Sequence, residues 1–189
     1  PFKFFVEPVV VALNTVLSRG TFTDITMMGA SGGGWSTVLA TAVDPRIRTS
    51  ISVAGSVPLF FPSATDATCT ISRDAEQANE SGQLYQNISY LDLYILAGNG
   101  TQPGNAQRQH MQINNQFDTC CFYGIDFLGY ASYLTSYMTT NALGNYKYIL
   151  DSDFVGHGYD LNPGETVNRT LDIALHIPEV LQAVDEVLQ

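Results

Sequence analysis

The chain has 189 residues, of which 45% are hydrophobic and 14% charged, and this composition is typical of one globular domain. Its 18 acidic residues against 8 Lys and Arg give a net charge of −10, so we expect a surface that repels nucleic acid. No run of eighteen apolar residues and no basic segment leading into an apolar one is present, so the sequence predicts neither a membrane span nor a signal peptide in this chain.

The first quarter of the chain alternates between helical and strand patterns. The predicted elements are a helix within residues 7–20, a buried strand at about 22–29, a helix from about 35 to 43 and a strand at about 48–54. Such alternation predicts an α/β domain with a doubly wound, mainly parallel sheet flanked by helices.

Residues 57–89 interrupt this alternation with Pro, Ser and Asp and show no sustained period. We therefore predict a single domain over residues 1–189 with a lid-like or loop insertion at about 57–89. The elements predicted after the insertion are strands at about 90–97, 108–118 and 145–151 and helices at about 127–143 and 178–189.

Ser31 lies between glycines where a predicted strand meets a predicted helix. The stretch from Gly29 to Gly33, "GASGG", is a G-x-S-x-G, the pattern of a nucleophile elbow, in which a strained turn lifts the serine Oγ above the sheet. Strand and helix nearly collide there, so the positions two before and two after the serine require small residues, and Gly29 and Gly33 meet this requirement. The N–H of Gly32, at the start of the helix, points where an oxyanion would form.

Two other interpretations of this turn are a glycine-rich βα turn without chemistry and a phosphate-binding turn. The chain contains no G-x-G-x-x-G, and no Gly-Lys-Ser or Gly-Lys-Thr follows the turn. The acidic net charge also disfavours a phosphate site. Because a predicted strand precedes the serine and a predicted helix follows it, the sequence favours the nucleophile elbow.

A serine nucleophile needs a general base, and the chain has three histidines. His157 follows the last predicted strand between two glycines, so it is the predicted base. His110 lies at the start of a strand, which places it at the opposite end of the sheet. His176 lies two residues before Pro178, where a surface or capping role fits better.

The orienting acid is predicted to be Asp118, which ends the predicted strand 108–118. Asp92 lies inside a predicted strand, and Asp151 and Asp153 lie in chain that extends away from the ring of His157. The alternative for Asp118 is an aspartate that only caps a turn.

Four sequons and three cysteines bear on the compartment. The sequons favour a secreted, glycosylated eukaryotic protein, although Asn, Ser and Thr are common in this chain; their asparagines are Asn79, Asn87, Asn99 and Asn168. The cysteines Cys69, Cys120 and Cys121 match no zinc spacing, and we predict no metal site. In a secreted protein Cys69 would pair with one of the other two and leave an odd thiol, whereas three reduced, buried cysteines are the alternative.

With these residues in this order the chain resembles the α/β-hydrolase superfamily. The matching pieces are "GASGGGW", the strand "RTSISVAG", the strand end at Asp118 and the "GHG" around His157. Through "SGGGWSTVLATAVDPRI" and "FDTCCF" it also resembles a group of secreted, poorly characterised hydrolase-like proteins. The resemblance implies that Ser31 is the nucleophile, His157 the base, Asp118 the orienting acid and the Gly32 N–H one oxyanion donor.

The resemblance covers only the second half of the family's fold. The chain begins with Pro1 at the helix before the elbow, whereas in the family about four strands and a loop with the second oxyanion donor come earlier. The strand before Ser31 would then have an open edge with unpaired backbone groups. We therefore expect an N-terminal fragment or a partner chain to complete the sheet.

These features predict a secreted serine hydrolase that acts on an ester, less readily on an amide, by acyl transfer without a metal or organic cofactor. An alternative is a catalytically silent hydrolase-like domain with a structural or interaction role in an extracellular glycoprotein assembly. The intact set of Ser31, Asp118 and His157 counts against that alternative, and the missing oxyanion donor counts for it. A small-ligand binding domain is a third interpretation.

Overall fold

A computed structural model of the chain describes residues 2–61, 73–74, 76–77, 83–100, 108–125 and 127–157. The described strands are β1 (Thr26–Ala30), β2 (Thr49–Val53), β3 (Gln109–Phe117) and β4 (Asn145–Val155). The described helices are α1 (Lys3–Leu17), α2 (Gly32–Val43), α3 (Gln83–Asn87), α4 (Tyr90–Gly98) and α5 (Leu128–Thr140). None of these helices is both long and apolar enough to cross a membrane.

The four strands form one sheet in the order β1-β2-β3-β4, and every neighbouring pair is parallel. This confirms the predicted α/β class with a parallel sheet flanked by helices. Since the strands follow one another in chain order and direction, their carboxyl ends meet at one edge of the sheet. Ala30, Val53 and Ile113 form one row across this edge, and β3 and β4 extend beyond it.

The predicted strand at 90–97 is wrong, because these residues form α4. Ser89 caps this helix: its Oγ accepts a hydrogen bond from the Asp92 backbone N–H at 3.2 Å, and the Asp92 carboxylate accepts one from the Ser89 N–H at 2.9 Å. This capping box starts the helix, which then buries Tyr90, Leu93 and Tyr94 at helical spacing. A short apolar run fits strand and helix periods alike, so periodicity alone did not distinguish them.

Strand β1 is an edge strand of the described sheet, because β2 is its only recorded neighbour. This agrees with the open edge that the resemblance implied. The adjacent helix α1 buries none of its residues, and the side chain of Phe4 is 71% exposed. Helix α1 contacts the rest of the domain through the ring of Phe5, among others. The centroid of this ring lies 4.8 Å from that of Trp35 in α2.

Arg108 lies immediately before β3, and its side chain connects α2, α4 and the segment before β2. Its guanidinium, in a residue that is only 3% exposed, donates hydrogen bonds to four backbone carbonyls. The acceptors are the carbonyls of Thr41, Ile47, Leu96 and Asn99. Because Thr41 and Leu96 lie near the carboxyl ends of α2 and α4, the positive charge also faces the negative ends of both helix dipoles.

Several calls from the sequence lie outside the described residues. These are Cys69, Asn79, Asn168, His176, the helix at 178–189 and most of the insertion at 57–89. Of the insertion, the described residues include helix α3.

His110 is buried near the amino end of β3, opposite the edge at which the carboxyl ends meet. Its Nδ1 lies 2.7 Å from the hydroxyl of Ser50, and its ring stacks on Tyr94 at 5.6 Å. Burial, assisted by the charge of Arg108, lowers the pKa of His110 from 6.5 to about 3. His110 is therefore a neutral core residue, at the position that the sequence assigned to it.

We predict that His110 makes the free energy of unfolding depend on pH. The unfolded chain protonates this histidine near pH 6.5 while the folded chain keeps it neutral, so its contribution is fully present above pH 6.5 and is lost as pH falls toward about 3. Urea unfolding at about pH 7 and about pH 5.5 should give a loss of unfolding free energy that is larger in the wild type than in His110→Gln by on the order of 1 kcal/mol. Equal losses in both proteins would contradict this assignment.

Candidate active site

Ser31 occupies a strained turn between β1 and α2. Its backbone has φ 53° and ψ −126°, a left-handed conformation that a non-glycine residue adopts only where the surroundings enforce it. The Ser31 N–H donates to the Val53 carbonyl at 2.9 Å, and the Ser31 carbonyl accepts from the Trp35 N–H at 3.0 Å. The turn is therefore anchored on one side to β2 and on the other to the first turn of α2.

The glycines around Ser31 allow β1 and α2 to approach closely. A Cβ at Gly29 would collide with the Gly33 carbonyl and lie 2.8 Å from Thr37 Oγ1. A Cβ at Gly34 would lie 2.8 Å from the Val53 carbonyl oxygen. A Cβ at Gly33, however, meets nothing within 4 Å among the described residues, so the predicted need for a small side chain there is wrong. Gly33 contributes its backbone to the close approach of α2 and β1. The helix residue that must be small is Gly34.

Gly32 is the first residue of α2, and its N–H belongs to the group that has no acceptor within the helix. The positive end of the α2 dipole lies at the same place. A developing negative charge beside Ser31 would therefore meet one backbone donor and a favourable electrostatic potential.

The predicted acid and base lie in direct contact. Asp118 follows β3, His157 follows β4, and His157 Nδ1 lies 2.9 Å from Oδ2 and 3.1 Å from Oδ1 of Asp118. The carboxylate can only accept, so Nδ1 carries the proton and Nε2 is the basic nitrogen. The Asn115 side-chain amide also donates to the Gly156 carbonyl at 2.8 Å, which joins the same two strand ends.

The Asp118 side chain is fully buried, whereas that of His157 is 23% exposed. Besides the imidazole, Asp118 Oδ1 accepts the backbone N–H groups of Cys120 at 2.7 Å and Cys121 at 2.9 Å. Asp118 therefore caps the turn after β3 and orients His157 at the same time. The two interpretations of this residue from the sequence are compatible.

His157 Nε2 is buried and has no hydrogen-bond partner among the residues that the structure describes. The ring centroid of Phe122 lies 6.4 Å from that of the imidazole. Catalytic hydrogen bonds are often long before substrate binds, so an unpartnered basic nitrogen is compatible with a general base.

The carboxylates rejected at the sequence level have other positions. Asp92 belongs to the capping box of α4 and not to a strand, and Asp151 is buried within β4. Asp118 is thus the carboxylate that meets His157 in the described part of the chain.

The Sγ atoms of Cys120 and Cys121 lie within bonding distance of each other. Cys69 lies outside the described residues, so its predicted pairing stays a prediction. Both sulfur atoms and a ring nitrogen of His157 also lie within 4.8 Å of one another. Sequence spacing gave no signal for this cluster, because the histidine comes from a different strand end.

Comparison with known proteins identifies similar structures but no similar sequences. No family model and no curated protein sequence matches the chain. It is similar to a methylesterase (TM-score 0.55, 17% identity, 88% of this chain). It is also similar to a protein assigned as a dienelactone hydrolase from Klebsiella pneumoniae (TM-score 0.51, 11% identity, 88% of this chain). A third similar structure is an acylaminoacyl peptidase from Pyrococcus horikoshii (TM-score 0.52, 15% identity, 81% of this chain).

The chain spans 34% of the methylesterase, 58% of the dienelactone hydrolase and 23% of the peptidase. All three have the α/β-hydrolase fold. Identities this low establish a shared fold and nothing about the reaction.

We predict that the two glycines of the turn respond oppositely to alanine. Gly29→Ala should lower the free energy of unfolding by about 1–3 kcal/mol, because the new Cβ collides with the backbone of α2. Gly33→Ala serves as the matched control and should be neutral or stabilise by up to about 1 kcal/mol, since it adds a better helix former in open space. Urea unfolding of both variants tests this, and equal destabilisation would refute the assigned close approach.

Proposed function

We propose that this chain, which has part of an α/β-hydrolase fold, belongs to a serine hydrolase that cleaves carboxylic esters by acyl transfer. The observation that carries the proposal is the 2.9 Å contact between His157 and Asp118 at the edge of the sheet where the strands end. The strained turn that carries Ser31 follows β1 at the same edge.

In this mechanism Ser31 Oγ attacks the ester carbonyl carbon while His157 Nε2 accepts the hydroxyl proton. Asp118 holds the Nδ1–H side of the ring and stabilises the imidazolium that forms. The Gly32 N–H donates to the oxyanion of the tetrahedral intermediate. His157 then gives its proton to the departing alkoxide, an acyl-enzyme remains, and water releases the acid by the same steps. This chemistry requires no metal or organic cofactor.

An ester is the favoured substrate class over a peptide. Of the three similar structures, one is named as a methylesterase and one as a hydrolase of a lactone, which is a cyclic ester. The third is named as a peptidase, so amide cleavage is the weaker candidate. The acidic net charge of −10 also favours neutral or cationic substrates over strongly anionic ones.

The proposal includes a further polypeptide segment, from an N-terminal fragment or a partner chain, beside β1. Two observations support it: β1 has one recorded neighbour, and the chain spans less than two thirds of the similar proteins. Such a segment would pair with the edge of β1, cover the exposed side chains of α1 and supply a second oxyanion donor.

The test of the proposed activity is covalent labelling of Ser31 by a fluorophosphonate in the native, full-length protein. We expect one adduct at Ser31, none in Ser31→Ala, and labelling in Asp118→Asn that is slower by a factor on the order of 10⁴, because the ring loses its correct tautomer. Ser18→Ala at the end of α1 is the matched control and should label like the wild type.

Absence of an adduct in folded wild-type protein would overturn the proposal. The second candidate, a silent hydrolase-like domain, would then be favoured by its two supporting observations. These are the edge position of β1 in the described sheet and the absence, in the sequence, of the loop that carries the second oxyanion donor in the resembled family.

We also propose that the protein is secreted and glycosylated, because four sequons occur in 189 residues. Asn87 is exposed at the end of α3, whereas Asn99 is half-buried where α4 ends. We predict a glycan at Asn87 in protein secreted from eukaryotic cells, detected as a mass decrease after glycosidase treatment. Asn87→Gln should remove it, Asn114→Gln in no sequon is the control, and an unmodified Asn87 peptide would contradict the prediction.

A further inference from the structure

The pairing of β3 with β4 is irregular just before both strands end. Asn115 pairs with Asp151 and Phe117 pairs with Val155, so β4 advances four residues while β3 advances two. Such an irregularity interrupts the regular ladder of hydrogen bonds and leaves backbone groups that need other partners. The acid and the base that follow these strands therefore lie beyond a segment that regular strand pairing alone does not hold in place.

The side chain of Asn115 supplies partners at this irregularity. Its Oδ1 accepts a hydrogen bond from the Phe117 N–H at 2.9 Å, and its Nδ2 donates one to the Gly156 carbonyl at 2.8 Å. The backbone carbonyl of Asn115 accepts the Asp118 N–H at 3.2 Å. Gly156 immediately precedes His157, so Asn115 contacts the backbone beside both members of the acid–base pair.

The two side-chain contacts require an amide at this position. Oδ1 faces a donor and Nδ2 faces an acceptor, and these partners fix the orientation of the group. An ionised carboxylate of the same shape would only accept, and an aliphatic side chain would do neither. Because Asn115 is only 1% exposed, bulk water does not replace the lost partners in a side chain of equal size.

The preceding residue, Asn114, is also 1% exposed, but its amide has a different environment. Its Nδ2 lies 3.5 Å from the hydroxyl of Tyr148, which belongs to the regular part of β4. Two neighbouring asparagines of equal burial therefore differ in whether the amide bridges the strand ends.

We propose that Asn115 is a positioning residue for His157. Its amide holds the peptide of Gly156 against the segment that leads to Asp118, and in this way it sets the distance and angle at which the imidazole meets the carboxylate. The 2.9 Å contact between His157 Nδ1 and Asp118 Oδ2 is the geometry that it maintains. The consequence for attack by Ser31 rests on the proposed function, whereas the effect on the imidazole does not.

The first test observes the His157 ring in the native, full-length protein by nitrogen NMR of isotope-labelled histidine. The measurement is made at about pH 9, where an ordinary imidazole is neutral, and His157→Gln assigns the signals by their loss. We expect the wild-type ring to carry its proton on Nδ1, as the contact with Asp118 requires. Asn115→Leu keeps the approximate shape but neither donates nor accepts, and we expect its His157 ring to be a mixture of both tautomers.

Asn114→Leu is the matched control, because it removes the same amide from an equally buried position one residue away. It should keep the wild-type tautomer of His157. Cooperative urea unfolding shows that each variant is folded. A folded Asn115→Leu with the wild-type signals of His157, or the same change in both variants, would overturn the proposal.

Asn115→Ser serves if Asn115→Leu does not fold. Its smaller side chain admits water to the Phe117 N–H and the Gly156 carbonyl, but one short hydroxyl does not bridge both groups. We expect a mixture of tautomers here too, with Asn114→Ser as the control. A wild-type His157 spectrum in folded Asn115→Ser would refute the positioning role.

Fluorophosphonate labelling of Ser31 separates this proposal from the proposed hydrolase activity. We expect Asn115→Leu to label about 10- to 100-fold more slowly than the wild type, because a displacement of about 1 Å in a catalytic arrangement has effects of that size. Asn114→Leu should label like the wild type.

If the wild type never labels while Asn115→Leu still alters the His157 tautomer, the hydrolase is disproved and the positioning role stands. If Asn115→Leu alters the tautomer but labels at the wild-type rate, the catalytic consequence of the positioning role is disproved.

Discussion

The buried Asp118 carboxylate is the interaction on which the candidate site depends. It receives Nδ1–H of His157 and two backbone N–H groups from the turn that follows it. A buried charge is costly unless hydrogen bonds satisfy it, and these donors satisfy it from two different strand ends. One side chain therefore contacts both the turn after β3 and the imidazole after β4, and it favours the tautomer with the proton on Nδ1.

A second constraint acts at the other end of the site, where β1 and α2 approach each other at Gly29 and Gly34. The close approach keeps Ser31 in its left-handed conformation, since a longer path between strand and helix would relax the turn. Yet β1 is an edge strand of the described sheet. Ser31, whose backbone is strained, thus follows a strand that has one recorded neighbour in the described sheet.

The sequence by itself determined the α/β class, all four described strands and the strand-to-helix turn at Ser31, and it placed Asp118 and His157 at strand ends. These follow from local patterns: apolar periodicity, glycine positions and the residues at which strands end. The prediction from the sequence failed at residues 90–97, where an apolar run fits both the strand period and the helix period. The capping box of Ser89 and Asp92 favoured the helix. Only the tertiary structure decided which glycine of the turn must be small and that the His157 ring contacts the Asp118 carboxylate. Both depend on distances between segments that are far apart in the chain. Strand order and register set these distances, and no local pattern contains them.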